Sequence, residues 1–173
     1  MAHPVGADAV IPPRRAPLRE RLRLLSLRLR ARGRLTVDGR PVVAAGARVS
    51  IDRGGRVRLG NGCLLGWGSR VEAAGGTIDV GAGARLGERA VVVALESVTL
   101  GRDAVLGDWA LACDAGPAWT DPEAPVRSQP LRRRPLRIGD GARVGAHAAV
   151  LADVPDGAVI ASYAVVTDEV SSP

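Results

Sequence analysis

The feature that most narrows what this chain can fold into is a repeat of six. An aliphatic residue returns at every sixth position in five runs: Leu59, Leu65, Val71; Val80, Leu86, Val92; Leu100, Leu106; Ile138, Val144, Val150; and Ile160, Val166. Gly follows it directly at positions 60, 66, 81, 87, 101, 107, 139 and 145. Four places after it stands a small residue: Cys63, Ser69, Ala84, Ala90, Ala104, Ala110, Ala142, Ala148 and Ala164. A longer period overlies the short one. The phrase apolar, any, apolar, Gly opens segments at Val57, Ile78, Val98 and Leu136, with its second apolar residues 21, 20 and 38 positions apart.

A period of six fits neither the 3.6 of an α-helix nor the bare alternation of a long strand. It fits a short strand plus a tight corner, repeated. Three such units would close a triangular coil of about 18 residues, with the aliphatic and the small residue both pointing inward and the Gly after the aliphatic residue turning the chain. Successive coils would then pair as parallel strands about 4.8 Å apart. Composition agrees with so thin a prism: 46% of the 173 residues are apolar, yet Phe is absent and three Trp and one Tyr are the only aromatics. A sandwich or a doubly wound sheet normally fills its centre with aromatic bulk.

The expected organisation is one domain with an N-terminal arm. Residues 1–35 form the arm and a basic segment, and 36–173 the repeat domain. Four Pro within the first 17 residues suggest a loose start. From Leu18 to Arg34, Leu18, Leu22, Leu25 and Leu29 fall on one helical face among Arg residues, which predicts a short basic amphipathic helix. Strand remains an alternative, because Leu22 and Leu24, then Leu27 and Leu29, also alternate. Such a helix could cap the open end of the repeat array or rest on an acidic membrane surface.

The net charge of +6 comes from Arg alone, since the chain has no Lys, and it favours anionic partners. Cys63 and Cys113 are too few for a disulfide framework, and neither a secretory signal nor an apolar run of about 20 residues is present. These features lead to an expectation of a reducing cytoplasmic location. The periodicity fails between Cys113 and Pro135, a stretch holding five Pro, Trp119 and the run Arg132-Arg133-Arg134. That stretch reads as a loop projecting from the prism, and long loops on repeat arrays tend to be functional.

Hexapeptides of this form resemble those of the hexapeptide-repeat acyltransferases, which include sugar O-acetyltransferases using acyl-coenzyme A. The resemblance spans about residues 40–170. Its closest stretches are 138–146 and 157–167, with a two-residue shortening near Val154 and Pro155 between them. It implies an all-β, left-handed parallel β-helix working as a homotrimer, with acetyl-coenzyme A or another acyl-coenzyme A as co-substrate, a sugar-like acceptor and no metal. In such enzymes a His on the projecting loop acts as general base on the acceptor, and a backbone N–H often steadies the oxyanion. The loop's usual frame, an Asp followed by His, Asp-Pro, Pro and Gln-Pro, is matched here by Asp114, Asp121-Pro122, Pro125 and Gln129-Pro130, while the His slot holds Pro117. Where the family places a phosphate-binding Lys near the end, this chain has Asp168, which would repel phosphate.

The resemblance also assigns candidate residues. Gly145, Ala146, Ser162, Ala164 and Thr167 would line the pantetheine path. Asp114 and His147 are the catalytic candidates, each with a plainer reading as a turn-forming Asp and an exposed corner residue. Trp119, Gln129 and Arg127 would approach the acceptor, and Arg127 with Arg132–Arg134 would supply the missing phosphate contact or form a solvated basic loop. Cys113 is either a nucleophile or a small buried thiol. Trp67 and Trp109 fall at predicted corners, where an indole would stack on a ligand or pack between prisms. His3 lies in the arm. Two His residues are too few for the three-His zinc site that another enzyme family builds on the same prism. No nucleic-acid recognition module is visible. The competing function is a trimeric scaffold, or a protein binding an anionic partner, without catalysis.

Overall fold

The computed structural model describes residues 25–26, 31, 33–117, 123 and 125–167, and in it the chain winds as a left-handed parallel β-helix. The first coil comprises β1 (Leu35–Val37), β2 (Val42–Val43) and β3 (Arg48–Ile51), and the second β4 (Arg56–Leu59), β5 (Leu64–Leu65) and β6 (Arg70–Ala73). The third holds β7 (Thr77–Val80), β8 (Arg85–Leu86) and β9 (Val91–Ala94), and the fourth β10 (Ser97–Leu100), β11 (Val105–Leu106) and β12 (Leu111–Cys113). Next comes an antiparallel hairpin of β13 (Ala115–Pro117) and β14 (Leu131–Arg133). The fifth coil is β15 (Leu136–Ile138), β16 (Arg143–Val144) and β17 (Ala149–Val150). The last adds Val154, bridged to Ile138, then β18 (Val159–Ile160) and β19 (Val165–Val166).

Stacked coils make three walls. Sheet A runs β1-β4-β7-β10-β15, sheet B β2-β5-β8-β11-β16-β18, and sheet C β3-β6-β9-β12-β17-β19. The register sets like on like, so that Val57 faces Ile78, Leu65 faces Leu86 and Val71 faces Val92 across neighbouring coils. The six-residue period therefore becomes columns. Leu59, Val80, Leu100 and Ile138 descend the inside of sheet A, Leu65, Leu86 and Leu106 that of sheet B, and Val71, Val92 and Val150 that of sheet C, all fully buried or nearly so. Burying each such side chain contributes about 1.5–3 kcal/mol. The small residues fill the corners where three walls leave little room: Cys63, Ala84, Ala104 and Ala142 between sheets A and B, and Ser69, Ala90, Ala110 and Ala148 between B and C. Ser69 is the odd member, because its hydroxyl is buried without a hydrogen-bond partner among the described residues.

The Gly after each aliphatic residue has a different task from the turning role expected of it. A Cβ added to Gly60 would lie 2.7 Å from the carbonyl carbon of Gly81, and one on Gly81 would lie 2.7 Å from that of Gly101. These glycines let one coil lie against the next. The left-handed residue that turns the chain comes two places later, at Gly62 (φ 69°), Gly83 (70°), Gly141 (65°) and Gly157 (67°) in the A–B corner. Carboxylates lock the corners vertically: Asp140 Oδ1 accepts the Arg102 N–H at 2.9 Å, and Asp108 Oδ1 accepts the Glu88 N–H at 2.8 Å.

Of the segment expected to be helical, Leu25, Ser26 and Ala31 are described and are helical, while the rest of residues 1–30 and Arg32 lie outside the described residues. Ala31 belongs to the buried core cluster, and the Arg34 guanidinium donates to the Asp52 carbonyl at 2.7 Å. No helix among the described residues is long and apolar enough to cross a membrane.

Candidate functional site

Pairing of β10 with β15 continues straight past the hairpin, Val98 facing Leu136 and Leu100 facing Ile138, so the interrupted period is an insertion that leaves the wall intact. The insertion leaves from the C–A corner. There Asp114 is buried, and its two carboxylate oxygens accept the N–H groups of Leu95 at 2.8 Å and Glu96 at 2.7 Å. Its own carbonyl accepts the Arg134 N–H at 2.9 Å. The side chain thus ties the hairpin's foot to the third coil, the structural role open to a turn-forming Asp.

In the hairpin Ala115 faces Arg133, Gly116 faces Arg132 and Pro117 faces Leu131. Arg132, Arg133 and Arg134 are all exposed. A short 3₁₀ turn, Val126–Ser128, carries exposed Arg127 and is closed by the Ser128 hydroxyl donating to the Pro125 carbonyl at 2.7 Å. Gln129 is buried beside it. Trp119, Asp121, Pro122 and Asp168, to which the sequence assigned site roles, lie outside the described residues, as does His3.

Cys113 is half-buried, and its thiol donates to the Ala115 carbonyl at 3.3 Å. Burial pushes its pKa up, and the nearby Asp114 charge adds to the effect. A thiol so placed stays protonated near neutrality, the opposite of what a nucleophile needs. Cys63, inside the prism, is raised further by burial, to about 12.

The other candidates gather at the B–C corner. Gly145, Ala146 and His147 turn the fifth coil, and Ser162 and Tyr163 turn the last coil directly above them. His147 is exposed and left-handed, with φ 58°. Its ring lies between Trp109, 6.1 Å away and 6° from parallel, and Tyr163, 4.8 Å away and 1° from parallel. Its imidazole nitrogens have no hydrogen-bond partner among the described residues, so no carboxylate orients them. Gly145 is packed hard on the next coil, where a Cβ would lie 2.7 Å from the Ala161 carbonyl carbon. Only its backbone is on offer to a ligand. Ala146 is half-buried and Ser162 exposed, and their N–H groups have no partner among the described residues. Ala164 is half-buried, while Thr167 is exposed and turns toward the C–A corner.

Within one chain the two candidate groups therefore stand on opposite edges of sheet C, roughly 15 Å apart at the rise of an extended strand. What sequence reasoning missed is the row that runs up the B–C corner. Arg89 lies over Trp67 at 4.7 Å and over Trp109 at 4.5 Å, and the stack continues through His147 to Tyr163. The signal was present: Arg89, Trp109, His147 and Tyr163 each stand three places after an aliphatic residue of the repeat.

No protein-family model matches the sequence, and the search of curated proteins finds no match either. Among solved structures, the chain is similar to AntD, an N-acyltransferase from Bacillus cereus. In complex with dTDP-4-amino-4,6-dideoxyglucose and coenzyme A, a single-site variant of AntD aligns at 13% identity over 82% of this chain and 78% of its own, with a TM-score of 0.62. In complex with dTDP and 3-hydroxybutyryl-coenzyme A, AntD aligns at 14% identity over 82% of this chain and 77% of its own, with a TM-score of 0.58. The six-residue columns, the three parallel walls and this likeness agree: by fold the chain is a hexapeptide-repeat, left-handed parallel β-helix of the architecture seen in AntD.

Proposed function

We propose that the protein is an acyl-coenzyme A-dependent acyltransferase with a sugar-type acceptor. The observation that carries this reading is the β13–β14 hairpin, an arginine-bearing insertion on an otherwise continuous wall. A prism needs no such insertion for its own stability. Further support comes from the ligands with which AntD was crystallised, coenzyme A and a dTDP-linked amino sugar.

On this reading Gly145, Ala146, Ser162, Ala164 and Thr167 lie along the pantetheine arm, and the N–H groups of Ala146 and Ser162 bind its amide carbonyls or the oxyanion of the tetrahedral intermediate. Arg127 and Arg132–Arg134 pair with phosphate oxygens of the coenzyme or of a nucleotide-linked acceptor. Trp119 and Gln129 belong to the acceptor side. An amine acceptor suits these residues better than a hydroxyl. A neutral amine attacks the thioester carbonyl with its own lone pair and sheds its proton as the carbon–sulfur bond breaks and the thiolate leaves. A hydroxyl needs its proton removed during attack, a service worth typically 10²- to 10⁴-fold, and the usual base position holds Pro117. His147 is the remaining imidazole at this corner able to take that proton.

One observation favours a second reading, a scaffold or anion-binding protein without turnover. Asp114 spends both carboxylate oxygens on backbone, so the hairpin's foot offers no uncommitted carboxylate at that position. Calorimetric titration with acetyl-coenzyme A separates the two. Micromolar binding, weakened at least tenfold by Ser162→Trp at unchanged thermal stability, is the expected result. A folded protein that binds no coenzyme would overturn the enzyme reading in favour of the second.

A further inference from the structure

One further member of the repeat stands apart from the three walls, in the N-terminal arm. Residues 5–11 read Val5-Gly6-Ala7-Asp8-Ala9-Val10-Ile11, and the A–B corner of the fourth coil reads Leu100-Gly101-Arg102-Asp103-Ala104-Val105-Leu106. Both have the aliphatic residue, the Gly behind it, the small residue at the fifth place and a second aliphatic residue at the seventh. Gly, Asp, Ala and Val recur at the same four places. The Asp is the most telling, because Asp103 is the left-handed residue of its corner, with φ 55°. After Gly, short polar side chains adopt that conformation most readily. In the fourth coil Leu100, Ala104 and Leu106 are buried while Arg102 and Asp103 are exposed. Residues 5–11, which lie outside the described residues, thus carry the inward and outward pattern of a corner.

The prism has a place for such a corner. At its N-terminal end β2 is the edge strand of sheet B. One column of hydrogen bonds climbs this wall: the carbonyls of Cys63, Ala84, Ala104, Ala142 and Ala158 accept the N–H groups of Val42, Leu64, Arg85, Val105 and Arg143 from the coil beneath, at 2.8–2.9 Å. Pro41 is the lowest member of that column, and its carbonyl receives no donor among the described residues. Pro41 and Val43 are nevertheless buried, although no described strand lies beneath them. A buried carbonyl without a partner is costly, and a strand under β2 removes the cost. Gly6 tells which end of the prism it suits. In the A–B and B–C corners of coils two to five, Gly follows the aliphatic residue, and a Cβ there would lie 2.4–2.7 Å from the coil above. In the last coil, with none above it among the described residues, the same places hold Pro155 and Ala161. A unit with Gly there is shaped to lie under another coil.

Chain length names the occupant. Setting Val5 below Val37 puts 32 positions between them, against 22 from Val37 to Leu59 and 38 from Leu100 to Ile138, where the wall reseals behind the hairpin. The excess is smaller than one the prism already absorbs. With Ile11 tied to Leu35 through only 23 residues, the nearest edge is that of the same chain. We infer that residues 5–11 dock beneath the first coil as a further A–B corner, Val10–Ile11 adding to sheet B along β2 and the Val10 N–H donating to the Pro41 carbonyl. Pro12 ends the unit, since it has no N–H for the Val43 carbonyl. An unpaired strand edge invites strands of other molecules, and this docking closes it. It also holds the arginines between residues 14 and 32 at the N-terminal end of the prism. This holds whether or not the protein turns over an acyl group.

Disulfide trapping in the full chain carrying Cys113→Ala reads the register. Val42 pairs with Leu64 above it and would pair with Val10 below, which brings the Cα atoms of Val10 and Val42 within the about 4.4–6.8 Å that a disulfide spans. Val10→Cys with Val42→Cys should close a cross-link inside one chain in most molecules under mild oxidation. Val10→Cys with Val159→Cys, at the opposite end of sheet B, should not. Hydrogen exchange followed by mass spectrometry should show residues 5–11 protected about tenfold or more over a free peptide. Gly6→Val should remove that protection, and Ala7→Val, at the outward place of Arg102, should keep it. Cross-linking to position 159 instead of 42, cross-links between chains only, or exchange of residues 5–11 at the free-peptide rate would overturn the inference. Should the cysteine variants misfold, the exchange measurements decide it alone.

Discussion

Sheets A and C share one interior and part company on the outside. Beneath both lie columns of fully buried aliphatic residues in identical register. Outward, sheet A presents Thr36, Arg56, Arg58, Thr77, Asp79, Ser97, Thr99 and Arg137. Arg58 bridges two coils by pairing with Asp38 at 2.7 Å and Asp79 at 3.1 Å, and Arg137 reaches Asp156 at 2.8 Å. Sheet C presents Arg48, Ser50, Arg70 and Glu72 in its first two coils and then Val91, Val93, Leu111, Ala149, Leu151 and Val165 above them. Inward positions are set by the repeat and cannot vary without loss of the prism. Outward positions are released from that constraint, so a difference between walls records what each one faces.

The comparison is open to direct attack, beginning with the largest effect. Cys63 and Cys113 mark the two sides of the shell. A thiol-alkylating reagent should label Cys113 first and reach Cys63 only on unfolding, with rates at least a hundredfold apart. The pKa of Cys63 is raised by burial from 9.0 to about 12, so the folded state holds a proton that the unfolded state gives up. The contribution is intact below pH 9 and lost as pH rises through about 12. Denaturant titrations across that window should show a falling stability that Cys63→Ala abolishes. Equality of the two interiors is tested by Val98→Ala beneath sheet A and Val92→Ala beneath sheet C, each expected to cost about 2–3 kcal/mol in chemical denaturation. Markedly unequal costs would break the premise of a shared core.

Trp109→Ala removes two stacking contacts without relieving the left-handed backbone, and should destabilise the chain by about 1–2 kcal/mol in the same assay. Ser69→Ala should act in the other direction, with a gain of about 1 kcal/mol from removing an unsatisfied buried hydroxyl. Arg58→Ala should change the melting temperature least of all, because its ion pairs lie on the surface, open to water and salt. A large effect there would mean that sheet A is shielded from water and salt.

The sequence made the interior legible because a prism converts chain spacing into columns with no further information. Leu65 and Leu86 are in register simply by being one coil apart. The hairpin was visible as a failure of the period. The meaning of the glycines was not: Gly60 and Gly81 look like turn residues in a linear reading, and their task of letting backbones touch exists only between coils. The same holds for the stacked row, since Trp109, His147 and Tyr163 are far apart in sequence and meet through coil register. Asp114 was legible as a residue to single out, yet its partners, the N–H groups of Leu95 and Glu96, belong to the preceding coil, which no local motif could reveal.

The uninterrupted pairing of β10 with β15 has a consequence for how such a chain can change over time. Closing a longer loop costs only about 0.6 kcal/mol for each doubling of its length. A wall that reseals behind an excursion is therefore nearly indifferent to what the excursion contains. New loops can be spliced in, lengthened or exchanged at a corner while the scaffold keeps its shape, so the prism and its appendage can evolve as separate inheritances.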